Sequence, residues 1–261
     1  MKRFLSGVCM MMLVVPALVF AQTEDPAIKA IEAYIYGTMD EAAKEAAVKE
    51  ALEKNPELVN ATIDDRPILE WAVDNIGVEG DLGRKSENLA QMLVAKGADV
   101  NLKDDDGMPL LTKYAMFARV EPMAFLLKNG ADVNAKDKAD ERTALHWVTL
   151  LNEMDAEPEN IEQFVQAIEL LFDNKAEIDA ADKRGTTPLH NAAFLGNLKM
   201  TELLVAKGAD MVLKDHDGYN ALGAAIARTE ENWANDDEKA ATQKTIDFLK
   251  SKGAQDIRPA E

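Results

Sequence analysis

A single cysteine, Cys9, stands in the 261 residues, and it lies in an apolar stretch at the start of the chain. No disulfide can staple the fold, although exported domains often rely on one. Aromatic residues make up only 6%, while Ala and Leu are abundant, which favours helix over sheet. Basic residues are outnumbered, 29 Lys+Arg against 47 Asp+Glu, for a formal net charge of −18. That balance argues against nucleic acid or an anionic membrane as partner, because phosphate binding needs clustered Lys and Arg. It is compatible with a basic protein partner steered by the field, and equally with charge that keeps an elongated molecule soluble. Beyond residue 21 no apolar run is long enough to span a membrane. No glycine-rich phosphate loop occurs, and there are only three histidines, His146, His190 and His216.

The first 21 residues have the pattern of a secretory leader. Lys2 and Arg3 precede an uncharged apolar run from Phe4 to Phe20, and Val19-Phe20-Ala21 offers a cleavage site before polar Gln22-Thr23-Glu24-Asp25. Cleavage is expected after Ala21. An uncleaved anchor is the alternative, but the run is short for spanning and contains Pro16. A lipid-modified Cys9 is rejected, since no small residue precedes it and almost no apolar run lies upstream. Cleavage would remove the only cysteine together with Lys2 and Arg3, taking the formal charge from −18 to −20. The expected location is therefore exported, periplasmic or extracellular.

One phrase recurs down the chain. It reads Lys96-Gly97-Ala98-Asp99-Val100-Asn101, Asn129-Gly130-Ala131-Asp132-Val133-Asn134, Asn174-Lys175-Ala176-Glu177-Ile178-Asp179 and Lys207-Gly208-Ala209-Asp210-Met211-Val212, with a fifth copy at Lys252-Gly253-Ala254-Gln255-Asp256. The steps between second residues are 33, 45, 33 and 45. An apolar helical run precedes each copy, and self-similarity at such a period marks a repeat architecture. Glycine after a helix suits the left-handed conformation of a C-terminal cap. Lys175 in that place demands the same conformation of a non-glycine residue, or a changed turn.

Thr187-Pro188-Leu189-His190-Asn191-Ala192-Ala193 resembles the signature of the ankyrin-repeat family, and Gly196-Asn197 through Gly208-Ala209-Asp210 completes one regular repeat. Thr143-Ala144-Leu145-His146 is a close second copy. Pro109-Leu110-Leu111-Thr112 and Asn220-Ala221-Leu222-Gly223 are degenerate, and Pro67-Ile68-Leu69-Glu70 fits by spacing alone. The resemblance spans roughly residues 60 to 257. It implies an all-α solenoid of stacked helix pairs with hairpin-like finger loops. Thr fits the helix N-cap and Pro the first helical position, where its missing N–H costs nothing. One helix pair cannot bury its apolar face alone, so copies stack. The expected organisation is a signal peptide at 1–21, N-terminal capping helices at 22–59, the repeat domain at 60–257 and a tail at 258–261.

The 45-residue steps imply additions between the first and second helices of alternate repeats, at about Ile76–Ser86, Leu151–Asn160 and Thr229–Thr242. They are acidic, with Glu153, Asp155, Glu157 and Glu159 in one and Glu230, Glu231, Asp236, Asp237 and Glu238 in another. Two readings stand: longer helices or solvated loops, or a second binding edge anchored by Trp233.

No catalytic set emerges. The resemblance assigns His146 and His190 to the scaffold, each bonding neighbouring backbone, and His216 lies at a finger tip. Asp104-Asp105-Asp106-Gly107 and Asp215-His216-Asp217-Gly218 lack the alternating acids and later Glu of a calcium loop and match the finger turn instead. No enzyme activity, cofactor or metal is expected. In the family the binding face comes from finger tips and first helices. Carried across, that face comprises Asp105, Asp106, Met108, Met116 and Phe117 in the second repeat. Lys138, Asp140 and Arg142 follow in the third, Lys183, Arg184, Thr186, Phe194 and Leu195 in the fourth, and His216, Asp217 and Tyr219 in the fifth. Phe117 and Phe194 either anchor a partner or fold back on a neighbouring helix, and Trp147 is expected in the core. The expected function is a monomeric scaffold for a protein partner, protecting, inhibiting or assembling an envelope protein. A host- or competitor-directed effector, and a ligand-binding or hydrolytic protein using the inserted edge, are the alternatives.

Overall fold

A computed structural model describes residues 29–30, 33–34, 41–63, 66–104, 106–150, 158–230 and 235–259; for 41–45, 63 and 158–160 only the backbone is described. The leader, Asp105, the added residues 151–157 and Trp233 fall outside the described residues. The chain divides into two units, Met1–Asp99 and Val100–Glu261.

In the first unit, helix α1 (Glu41–Lys54) leads through a 3-10 turn (Pro56–Asn60) to a two-residue hairpin of β1 (Thr62–Ile63) and β2 (Arg66–Pro67). Two helices follow, α2 (Ile68–Val73) and α3 (Asp81–Ala95). Val48, Leu52, Leu58, Ile68, Leu69, Leu89 and Leu93 form the buried core. Glu70 takes the place of the signature histidine and is buried. Arg66 answers it with bonds of 3.0 and 2.8 Å, pairs with Asp74, and lies 4.5 Å over the Trp71 ring. A buried carboxylate without such a partner would be strongly destabilising.

Four helix pairs make up the second unit: α4 (Leu110–Ala115) with α5 (Val120–Lys128), α6 (Ala144–Val148) with α7 (Pro158–Asp173), α8 (Pro188–Phe194) with α9 (Leu198–Ala206), and α10 (Ala221–Glu230) with α11 (Asp236–Ser251). Each first helix packs on its own second helix, and successive first helices pack on one another. Leu111, Leu145, Leu189 and Leu222 recur at one buried register, and Ala192, Ala193 and Ala225 let the backbones approach. The fold is all-α and of the repeat type the sequence implies; the short hairpin is the only sheet among the described residues.

Both ends of these helices follow from local chemistry. Thr143 and Thr187 open α6 and α8 with reciprocal capping boxes in which the third residue is His146 or His190. At the other end five C-terminal caps share one geometry. In each, the N–H of the left-handed residue reaches the carbonyl three back, and the next N–H reaches the carbonyl five back. Gly97 to Val94 and Ala98 to Leu93 are both 3.0 Å; Gly208 to Val205 is 3.1 Å and Ala209 to Leu204 is 3.0 Å. Lys175 makes the same bonds, to Phe172 at 2.9 Å with Ala176 to Leu171 at 3.0 Å, and does so at φ +67°. The left-handed alternative is the one adopted.

The additions become, in part, longer second helices. α3, α7 and α11 run 15, 16 and 16 residues against nine in α5 and α9, an extension of about 10 Å at 1.5 Å per residue. Asp81 and Asp236, Asp237 and Glu238 fall in the first turns of α3 and α11, where negative charge complements the helix N-terminus. Asp81 also pairs with Arg84 at 2.7 Å, and Glu238 with Arg228 at 3.5 Å.

Candidate functional site

The fingers that precede each first helix are built on one repeated aspartate. The N–H of Asp104, Asp182 and Asp215 donates to the carbonyl four residues on, that of Met108, Thr186 and Tyr219, at 2.8 to 3.0 Å. Their carboxylates accept the backbone N–H of the same residues, Met108 at 2.8 Å, Thr186 at 3.0 Å and Tyr219 at 2.9 Å. In the third repeat the loop is one residue longer. Asp137 N–H reaches Arg142 O at 2.9 Å, and Glu141 takes up the slack at φ +58°. These bonds engage the aspartates whose spacing brings calcium loops to mind.

Neighbouring fingers are tied into a ladder. The N–H of Lys138 reaches Gly107 O at 3.2 Å, that of Lys183 reaches Asp140 O at 2.8 Å, and that of His216 reaches Arg184 O at 2.8 Å. Asn101, Asn134 and Asp179, each closing a copy of the recurring phrase, accept from the N–H of Asp132, Glu177 and Asp210 in the next copy. The two signature histidines add a buried rung. His146 Nδ1 accepts from Thr143 N–H at 3.1 Å, and Nε2 donates to Thr186 O of the next finger at 3.0 Å. His190 repeats the pattern, with Thr187 at 3.3 Å and Tyr219 O at 3.1 Å. An N–H can only donate and a carbonyl can only accept, so both rings are neutral with the proton on Nε2. Burial is the main cause that lowers both pKa values from 6.5.

This frame positions the side chains expected at the binding face. A groove of about 380 Å³ in the second unit brings together Arg142, Arg184, Thr186, Phe194, Leu195, Asp217 and Tyr219. Arg142 is already engaged: it pairs with Asp140 at 3.2 Å and Asp182 at 3.4 Å, and it lies 5.6 Å over the Trp147 ring. Trp147 is half-buried rather than enclosed in the core, because its Nε1–H donates to the Asp137 carboxylate at 2.9 Å. Phe194 is half-buried beneath the Arg228 guanidinium, 5.0 Å above its ring.

The other expected residues lie outside the groove. Lys183 turns its ammonium back to the previous finger, donating to Lys138 O and Ala139 O at 2.8 and 2.6 Å. His216 is exposed and covers Gly185, where a Cβ would lie 2.8 Å from its ring. Of the residues expected in the second repeat, Asp106 is exposed, Met108 and Met116 are half-buried, and Phe117 is 52% exposed. Asp105 and Trp233 are outside the described residues.

The groove also contains residues that sequence reasoning passed over: Leu150, Asn191, Asp215, Ala224 and Ala227, with His190 at its base. Leu150 and Ala227 stand at the register of Phe194, so alignment of the repeats could have found them. The space that Ala224 and Ala227 leave has no signal in sequence.

The comparisons with known proteins agree with this architecture. The family model described as ankyrin repeats, in three copies, matches residues 159–235. Human Rabankyrin-5 is 36% identical over 146 residues, covering 56% of this chain and 12% of that protein. A putative ankyrin repeat protein of Rickettsia felis is 31% identical over 128 residues, covering 48% of this chain and 38% of that protein. The chicken nuclear factor NF-kappa-B p105 subunit is 32% identical over 111 residues, covering 42% of this chain and 10% of that protein. The chain thus spans well under half the length of these relatives.

Proposed function

The chain is an ankyrin-repeat protein, and on that premise we propose that it is an exported scaffold whose finger tips and first helices hold a protein partner of net positive charge. Ankyrin repeats are protein–protein interaction scaffolds. The observation that carries the reading here is the groove. Its walls hang on a ladder of backbone and histidine bonds, so a partner meets a surface already ordered, and little freedom is lost on binding. Phe117, Phe194 and Tyr219 supply aromatic area of the kind that dominates interface energetics. The excess of acid steers a basic partner toward the molecule. Residues 1–21 direct export, and the partner is an envelope protein that the scaffold protects, inhibits or assembles.

Two measurements test this. A photo-crosslinking side chain placed at Phe117 or Arg184 captures the same protein from an envelope extract, whereas one at Lys244 on α11 captures none. Equal capture from all three positions overturns the assigned face. Cell fractionation and intact mass test export: the mature chain is expected to begin at Gln22 outside the cytoplasm, and an intact cytoplasmic chain overturns that part.

A further inference from the structure

We infer that the groove across the third, fourth and fifth repeats is the receptor for a partner segment in which a large apolar side chain neighbours a carboxylate. The inference rests on the scaffold reading and adds the chemistry of what is held.

The first observation is room of a particular character. The register filled by Trp147 of α6 and Leu150 two residues beyond its end, and by Asn191 and Phe194 in α8, is filled in α10 by Ala224 and Ala227. The side chains missing from α10 leave the groove of about 380 Å³, floored by Leu150, Phe194 and these two alanines. That volume lies within the range of ligand sites and far above that of a bound water. An apolar side chain of Phe or Leu size fits such a floor.

The second observation is two donors with no partner side chain or backbone group among the described residues. Asn191 lines the groove and is only 7% exposed, and its Nδ2 has no acceptor among the described residues. Most buried amide groups find a partner, and one that lacks it destabilises the unoccupied protein. The Arg184 guanidinium, also lining the groove, makes no ion pair with any described residue. Arg142, by contrast, is held by two aspartates and stacks on Trp147. Asp215 is engaged by the Tyr219 N–H, and Asp217, exposed on the rim, is left to accept an N–H of the same segment. Arg184 is exposed, so water solvates its guanidinium in the free protein, and a neutral occupant that displaces this water leaves those bonds unreplaced. A carboxylate offers about four acceptor positions and forms its strongest bonds with guanidinium. The occupant therefore carries its acid beside its apolar anchor, even where its overall charge is basic.

The test uses two blocked hexapeptides, acetyl-Gly-Gly-Phe-Asp-Gly-Gly-amide and its Phe-Asn counterpart, with an Ala-Asp control, titrated into the 15N-labelled protein. The Phe-Asp peptide is expected to shift the amides of Asn191, Phe194, Ala224 and Ala227. It should bind about tenfold more tightly than either control, the effect of one strong contact. Ala227→Phe, which gives α10 the side chain that α8 carries, abolishes the shifts while leaving the melting temperature unchanged. Ala224→Leu serves as a second filler should that variant fold poorly. Arg184→Gln lowers the Phe-Asp affinity to that of Phe-Asn. Equal affinity for all three peptides, shifts confined to residues outside the groove, or a folded Ala227→Phe that binds as before each overturn the inference. N-acetylphenylalanine binding as tightly as the Phe-Asp peptide overturns the assignment to a segment. The scaffold reading fails by a separate result, crosslinking that does not distinguish Phe117 from Lys244.

Discussion

Lys175→Gly should stabilise the protein. Lys175 occupies the C-terminal cap of α7 at φ +67°, while the four equivalent caps use Gly97, Gly130, Gly208 and Gly253 at φ +86° to +96°. Its backbone bonds match theirs to within about 0.2 Å, so the substitution changes conformational cost and not hydrogen bonding. A left-handed L-residue costs about 1–2 kcal/mol. Against this, glycine adds freedom to the unfolded chain that offsets about 0.4–1 kcal/mol. The side chain of Lys175 is exposed, so little packing is lost. The net expectation is a gain of about 0.5–1 kcal/mol, or about 0.3 M in the urea midpoint for a slope of about 2–3 kcal/mol/M. Urea unfolding followed by circular dichroism at 222 nm reads it directly. Gly208→Lys is the reciprocal experiment. A Cβ there meets no atom within 4 Å, so its cost of similar size is conformational alone. A Lys175→Gly variant no more stable than the parent, with Gly208→Lys also neutral, would refute the argument that these caps are set by the left-handed backbone.

Three further outcomes follow from the ladder and the groove. His146 and His190 have folded pKa values below 6.5, so below that pH the unfolded chain binds more protons. Their contribution is complete above about pH 6.5 and is lost as pH falls through the lowered folded values. Urea midpoints measured between pH 7.5 and 5.5, where most carboxylates stay ionised, should fall with acid, and His190→Gln should flatten that slope. Thr187→Ala removes both the N-cap of α8 and a 2.8 Å contact to His190, at a cost of about 1–2 kcal/mol in urea unfolding; an unchanged midpoint would contradict the capping role. Asn191→Leu replaces an unanswered buried amide by an apolar group of similar size and should be neutral or stabilising by about 1 kcal/mol. The same variant should lose affinity for the Phe-Asp peptide, and destabilisation beyond about 1 kcal/mol would show that the amide has a structural partner.

The buried Glu70 and the histidines solve one problem in two ways. At the first repeat a carboxylate stands where later repeats place an imidazole, and it is neutralised within its own unit by Arg66. In the third and fourth repeats the imidazole instead reaches the following finger, at Thr186 and Tyr219. Asn220 replaces the threonine of the fifth repeat. Its amide holds Met211 O and Gln255 O, and its Oδ1 accepts from the N–H of Gly223 and Ile257. Gly223, at the histidine position, admits the Ile257 carbonyl, which a Cβ would approach to 2.2 Å. The residues around Ile257 thus stand where a further finger would.

Much of this was legible in the chain because repeat proteins encode local requirements locally. A threonine cap, a proline in the first turn and a glycine after the second helix each answer a backbone need within a few residues, and their recurrence at 33 and 45 residues announces the stack. The exception at Lys175 was visible as well, although the choice between a left-handed residue and a changed turn was made only by the structure. What the acidic additions become was open in sequence, because the same residues suit a loop or a helix N-terminus; packing made much of them helix. Tertiary structure alone decided the groove. It depends on side chains 30 to 45 residues apart meeting across repeats: Ala224 and Ala227 leaving space, Asn191 losing water without gaining an acceptor, Arg228 covering Phe194, and Lys183 turning away to bind the previous finger. Periodicity reports which face a residue is on. Whether that face is filled, and by what, is settled only when neighbouring repeats are packed side by side.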